Sequence, residues 1–124
     1  MPLNKVVHLG PVALTNTLTT NIFNPPTLTG GTGVPSNSTN SYYILRHIRI
    51  VNKTSSAATF SLWLGGSGNN TAGTEFMGIG TSVAANSYVD WYGMLRMDTS
   101  DYLVGGAGTS TALTIEAEAE IGVN

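Results

Sequence analysis

The stretch LTIEAEAEIGV, residues 113–123, constrains the fold of this chain more than any other. Leu113, Ile115, Ala117, Ala119 and Ile121 alternate with Thr114, Glu116, Glu118 and Glu120. A period of two sends the apolar set to one face of an extended strand and the carboxylates to the other, whereas a helix would mix them around its circumference. The segment is therefore expected as a β-strand with one buried face.

Similar logic extends upstream. Tyr42–Asn52, YYILRHIRIVN, is a β-branched and aromatic run of strand length, and Ala58, Phe60, Leu62 and Leu64 alternate with Thr59, Ser61 and Trp63. EFMGIG, then SYVDWYGMLRM and YLVGGAG, supply further short strands. Between them lie turn signals: Lys53-Thr54-Ser55-Ser56, the Gly- and Asn-rich GGSGNNTAGT, and Asp98-Thr99-Ser100-Asp101. No window of eleven residues carries the i, i+3, i+4 spacing of an amphipathic helix. The pattern predicts an all-β chain, a jelly-roll-like antiparallel β-sandwich with negligible helix.

The 124 residues are expected to form one domain. Residues 42–124 are expected as the sandwich core, and residues 1–41 as an extended Pro-, Gly- and Thr-rich N-terminal arm and loop. Pro25, Pro26 and Pro35 fix φ and remove donors, which argues against a central strand there. Val12–Phe23 can supply one strand, Pro25–Ser41 reads as an extended loop, and the first dozen residues read as an arm of the kind that a neighbouring subunit orders.

Only 10% of the residues are charged, against roughly 25% in ordinary domains. Thr, Ser, Asn and Gly fill their places. Such a surface does little to keep copies apart, which leaves a merely Thr-rich β protein and a packed subunit as equal readings. The net charge of −2 gives no basic footprint for nucleic acid. MPLNKVVHLGPVAL lacks the uninterrupted apolar core of a secretory signal, and no apolar run is long enough to span a membrane. The absence of cysteine excludes disulfides, thiolate metal sites and a cysteine nucleophile. Asn37, Asn52 and Asn69 begin Asn-x-Ser/Thr sequences, read as chance products of an Asn- and Thr-rich chain.

The inventory for catalysis is thin. His8 falls in the expected arm, and His47 sits between Arg46 and Arg49, without a second ligand at metal spacing. Asp98 and Asp101 fit a turn whose carboxylates cap backbone N–H groups better than they fit a calcium loop. The clusters Gly30-Gly31-Thr32-Gly33 and Gly65-Gly66-Ser67-Gly68 lack the helix and Lys-Ser/Thr pair of a phosphate loop. Glu116, Glu118 and Glu120 share one face, with successive Cα atoms roughly 6–7 Å apart. They read either as a solvated outer face or as an acidic ladder facing Arg46, Arg49 or Arg96. Among the aromatic residues, alternation groups Trp91 with Val89, Leu95 and Met97 and sends it inward. Trp63 shares its face with Thr59 and Ser61 and is expected as an exposed or interface ring. Exposed Trp and Tyr rings also suit stacking on sugars. No catalytic, cofactor-binding or metal-binding residue is assigned, no cofactor is expected, and the chain is read as a non-enzyme.

The strand ILRHIRIVN, the segment AGTEF, the block DWYGMLRMDTSDYLVGGAG and the final LTIEAEAEIGV together resemble small β-sandwich virion proteins of tailed bacteriophages, most like head decoration (cement) proteins. The resemblance covers Tyr43 to Val123. It implies a structural protein on the outer surface of the phage capsid, made in the host cytoplasm, with the major capsid protein and further copies of itself as partners. A homotrimer is the implied assembly, with neither nucleic acid nor membrane involved. A tail or neck accessory protein and a carbohydrate-binding β-sandwich module remain the alternatives.

Overall fold

A computed structural model of the chain describes residues 5–25, 41–71 and 74–123. Eight strands are present: β1 (Lys5–Ala13), β2 (Asn21–Phe23), β3 (Ser41–Asn52), β4 (Ala58–Gly65), β5 (Glu75–Val83), β6 (Ser87–Met97), β7 (Tyr102–Ala107) and β8 (Leu113–Val123). They form two four-stranded sheets, with order β1-β8-β3-β6 in sheet 1 and β2-β7-β4-β5 in sheet 2. Every pairing is antiparallel. Only the β4–β5 connection stays within one sheet, so the chain otherwise passes from sheet to sheet at every turn. The architecture is the all-β sandwich expected from the alternation.

The inward faces supply the core. Leu45, Ile48 and Ile50 of β3, Phe60 and Leu62 of β4, Met97 of β6, Leu103 of β7, and Leu113, Ile115, Ala117 and Ala119 of β8 belong to one buried cluster. Burying a side chain the size of Leu or Ile contributes about 1.5–3 kcal/mol, so the alternation of β3 and β8 alone fixes which face of sheet 1 turns inward. These two strands are the centre of that sheet, paired from Ser41↔Val123 to Asn52↔Leu113.

The N-terminal segment departs from the expectation of an arm. Residues 5–13 form β1 and pair along β8 from Lys5↔Ile121 to Ala13↔Thr114. Gly10 and Pro11 interrupt the alternation in sequence, but the sheet absorbs them in a bulge. Three steps from Leu9 to Val12 oppose two from Ala117 to Ile115, and Gly10 takes φ +88°. The strand expected in Val12–Phe23 is divided: Val12 and Ala13 end β1, a turn follows, and Asn21–Phe23 pair with β7. The Pro-rich loop expected beyond Pro25 falls on residues 26–40, which lie outside the described residues.

A second irregularity crosses the middle of sheet 1. Between Leu45 and His47, β3 advances two residues while β8 advances one, from Ala119 to Glu118. Across the same step β6 advances three, from Leu95 to Tyr92. Inward positions on β3 therefore jump from Leu45 to Ile48, and Arg46 and His47 both direct their side chains to the outer side.

The expected exposure of the tryptophans changes too. Trp63 is only 6% exposed; it sits on an inner strand between Val104 of β7 and Glu75 of β5. Trp91 does point inward but stays partly buried, on the edge strand β6, where it packs against the core. Its ring meets Phe76 edge-on at 5.1 Å.

Candidate functional site

The outer face of sheet 1 collects most of the chain's charged and histidine side chains. It carries all three arginines, both histidines and four of the seven carboxylates in the sequence. One transverse row runs across all four strands. Tyr92 of β6 opposes His47 of β3, His47 opposes Glu118 of β8, and Glu118 opposes His8 of β1. The neighbouring row sets Asp90 opposite Arg49 and Arg49 opposite Glu116.

Asp90 is the electrostatic centre. Arg49 grips it with two bonds, Nε to Oδ1 at 2.7 Å and Nη2 to Oδ2 at 3.1 Å. His47 Nε2 lies 2.9 Å from the same Oδ1. The hydrogen bonds from Arg49 hold the Asp90 carboxyl down at about 2, His47 adds to that, and burial opposes both. The guanidinium of Arg49 is reciprocally raised, first by its hydrogen bond to Asp90. It also covers the Tyr88 ring at 4.5 Å, while the His47 ring stacks on Tyr92 at 4.6 Å.

Other pairs flank this centre. Arg46 bonds Glu120, His8 Nε2 lies 3.4 Å from Glu116, and Arg96 bonds Asp98 at 3.0 Å while covering the Tyr42 ring at 4.2 Å. The acidic ladder is thus partly answered within its own sheet: Glu120 by Arg46 and Glu116 by His8. Glu118 has neither a hydrogen bond nor an ion pair among the described residues. Alongside these charges, Val6, Tyr88, Tyr92 and Met94 are 73%, 55%, 69% and 71% exposed.

Two recesses border the transverse row. One of 490 Å³ is lined by Arg46, His47, Tyr92, Gly93 and Glu118. The other, 170 Å³, lies between His8, His47, Arg49, Glu116 and Glu118. A third hollow, 340 Å³, sits at the end of the sheet by Asn52, Lys53, Asn86 and Tyr88, away from the ion pairs.

Paired charges beside exposed rings are the chemistry of recognition surfaces. The His47–Asp90 contact has the composition of a catalytic dyad, but Arg49 keeps Asp90 ionised and the His47 ring is packed on Tyr92. Among the described residues no hydroxyl is hydrogen-bonded to His47, and no three His, Asp or Glu side chains are arranged to hold a metal ion. The Asp98–Asp101 pair behaves as a turn: Asp101 N–H donates to the Asp98 carbonyl, and Asp98 N–H donates to the Asp101 carboxylate, both at 2.9 Å. The loop at Gly65–Gly68 is tied to β2 by Asn21, which accepts from Gly68 N–H at 2.7 Å, and no helix follows it. The other glycine cluster, at Gly30–Gly33, lies outside the described residues. Asn52 is fully buried and its Nδ2 donates to two carbonyls, so its Asn-x-Thr sequence presents no acceptor.

Sequence reasoning set the three glutamates against Arg46, Arg49 or Arg96 as one of two readings, and the Arg46–Glu120 pair realises it, while Arg49 instead binds Asp90 and His47 joins that pair. It missed His8 as a member, because it placed His8 in an arm, and it missed the bulge that puts Arg46 and His47 on one side. No protein-family model matches the chain, and neither does any curated protein.

Proposed function

We propose that this chain is a structural, non-enzymatic virion protein that docks through the outer face of sheet 1. Its partner would be the major capsid protein, and it would decorate and stabilise the outer surface of a phage head as a homo-oligomer. The observation that carries the reading is the make-up of that one face. Arginine, tyrosine and methionine are enriched where proteins bind proteins, and here Arg46, Arg49, Arg96, Tyr88, Tyr92 and Met94 gather on a single face. Its charges largely neutralise one another in pairs, which suits orientation of a partner better than proton transfer.

The strand order β1-β8-β3-β6 against β2-β7-β4-β5 supports reading the sandwich as a jelly roll, an architecture found in capsid, lectin and cupin domains alike. The fold therefore does not choose the function. The likeness of ILRHIRIVN, DWYGMLRMDTSDYLVGGAG and LTIEAEAEIGV to head decoration proteins favours the capsid over a tail or neck position.

The test is to mix purified protein with undecorated capsids of the source phage and to image the particles by cryo-EM. Ordered density between capsomers, with sheet 1 facing the shell, is the expected result. Bare capsids with protein on tails would move it to the tail. The glycan alternative now depends on Tyr92, since Trp63 is buried. Glycan binding abolished by Tyr92→Ala, with capsids left bare, would establish that alternative.

A further inference from the structure

The recess beside Glu118 has a specific charge and a specific wall. We infer that it receives an arginine or lysine side chain of the protein on which sheet 1 docks, with the cation on the Glu118 carboxylate and the aliphatic stem along the Tyr92 ring. The inference rests on the docking reading and adds the chemistry of the contact.

The recess is a product of the two register shifts. The extra residue in β3 brings Arg46 to the outer side beside His47, and the longer span of β6 sets the Gly93 backbone along the recess, its Cα hydrogens turned inward to the Trp91 ring. Bulges of this kind re-aim side chains next to binding sites. Tyr92 is backed by His47, and His47 is held by Asp90, which Arg49 holds in turn. The ring is thus positioned before anything binds, which lowers the ordering cost of binding.

Charge decides the occupant. On this face Asp90 is answered by Arg49 and His47, Glu120 by Arg46, and Glu116 by His8. Glu118, flanked in register by His47 and His8, is the carboxylate left without a partner among the described residues. Arg46 on the same lining is bonded to Glu120, so Glu118 is the carboxylate of the recess to which no cation is bonded. An anion is repelled there, a neutral group leaves the charge unused, and a cation completes the pattern. Arg and Lys also lay their methylene stems against aromatic faces and interact with the ring quadrupole.

One such contact at a solvent-exposed carboxylate changes affinity only about two- to fivefold. Its value to a decorating subunit comes from repetition, because several weak contacts on one particle act together.

The experiment is a titration of the full chain with N-acetyl-arginine amide, followed by backbone amide chemical shifts. N-acetyl-citrulline amide, of the same shape without the charge, is the control. The arginine probe is expected to shift the Tyr92, Gly93 and Glu118 amides at concentrations where citrulline does not. Glu118→Gln, an exposed change that leaves the other pairs intact, is expected to remove the difference, and Glu116→Gln to preserve it. An equal response to both probes, a response elsewhere on the molecule, or an unaffected Glu118→Gln variant overturns the inference. So does N-acetylglucosamine shifting the recess where arginine fails, which would instead favour a sugar. Capsid binding without an arginine response overturns this site alone. An arginine response without capsid binding overturns only the docking reading.

Discussion

Asn52, fully buried at the end of β3, donates its Nδ2 to the Val83 carbonyl at the end of β5, 3.0 Å away, and so ties sheet 1 to sheet 2. The same nitrogen donates to the Ser56 carbonyl at 2.9 Å. Its Oδ1 accepts from Thr54 N–H at 2.9 Å and from Thr54 Oγ1 at 2.7 Å. Both donors and both acceptor positions of the amide are used. Removing it takes the donor from the buried Val83 carbonyl and the acceptor from Thr54 N–H, while the Ser56 carbonyl keeps Thr54 Oγ1, so Asn52→Ala is expected to cost about 1–3 kcal/mol. Asn52→Asp keeps the shape but sets a carboxylate against two carbonyls and is expected to be no better. Urea midpoints read the effect, with an unchanged m-value marking it as lost stability. A midpoint equal to wild type would show that the clamp is dispensable.

The Asp90 cluster predicts a pH dependence with a definite sign. The carboxyl sits at about 2 in the folded chain, below its ordinary value near 3.9 in an unfolded one. Folding therefore favours the ionised form. That contribution is complete above pH about 4 and fades as the pH falls toward about 2. Asp90→Asn is expected to lose about 1–2 kcal/mol at pH 7, and its stability should change less than that of wild type between pH 4 and pH 2. Parallel urea titrations across that range would decide it. Identical pH slopes in the two proteins would remove Asp90 from the account.

Much of the fold is legible in the sequence because burial has a period. Alternation in β8 and β4, and the turn residues between strands, mark elements whose inner faces are apolar whatever the topology. The candidate site was harder for a physical reason: it depends on lateral register, which a single strand does not encode. One trace of it is present. The inward residues of β3 move from Tyr43 and Leu45 to Ile48 and Ile50, with Arg46-His47 between them, and this change of phase is the bulge that builds the recess. β1 was obscured in another way, since Gly10-Pro11 reads as a strand breaker when alone yet fits a bulge once β8 lies alongside. Trp63 shows the limit of alternation, which assigns a side of the strand but not what covers that side.

Trp63 and Tyr92, the rings on which a glycan reading would draw, should behave in opposite ways. Trp63 is buried, and Trp63→Ala is expected to cost about 3–5 kcal/mol. Tyr92 is mostly exposed, and Tyr92→Ala should lose little beyond its stacking on His47, about 0.5–1.5 kcal/mol. Binding should respond in the reverse order, with the capsid or glycan signal falling for Tyr92→Ala while the fold persists. Thermal unfolding of both variants beside wild type provides the comparison, and a Tyr92 variant as unstable as the Trp63 variant would contradict the exposed placement.

The strongest steric constraint lies in β7. Gly105 has φ +153°, and a Cβ built on it would stand 2.1 Å from the Ser61 carbonyl oxygen and 3.1 Å from Leu62 Cα. Both belong to the backbone of β4, the strand paired directly with β7 through Leu62↔Gly105. A flexible side chain could turn aside from a methyl group, but a paired strand cannot. β4 is also held on its other edge by β5, so any retreat must break hydrogen bonds or open the core at Leu62 and Leu103. Gly105→Ala is therefore expected to destabilise by about 3 kcal/mol or more, enough to deplete soluble, folded protein. Gly66 is the matched control, since nothing lies within 4 Å of its added Cβ. There the same change only removes freedom from the unfolded chain, for an expected gain of up to about 1 kcal/mol. Urea unfolding of the two variants separates a packing requirement at Gly105 from a general intolerance of alanine. A Gly105→Ala protein within about 1 kcal/mol of wild type would mean that β7 and β4 lie farther apart than this packing requires.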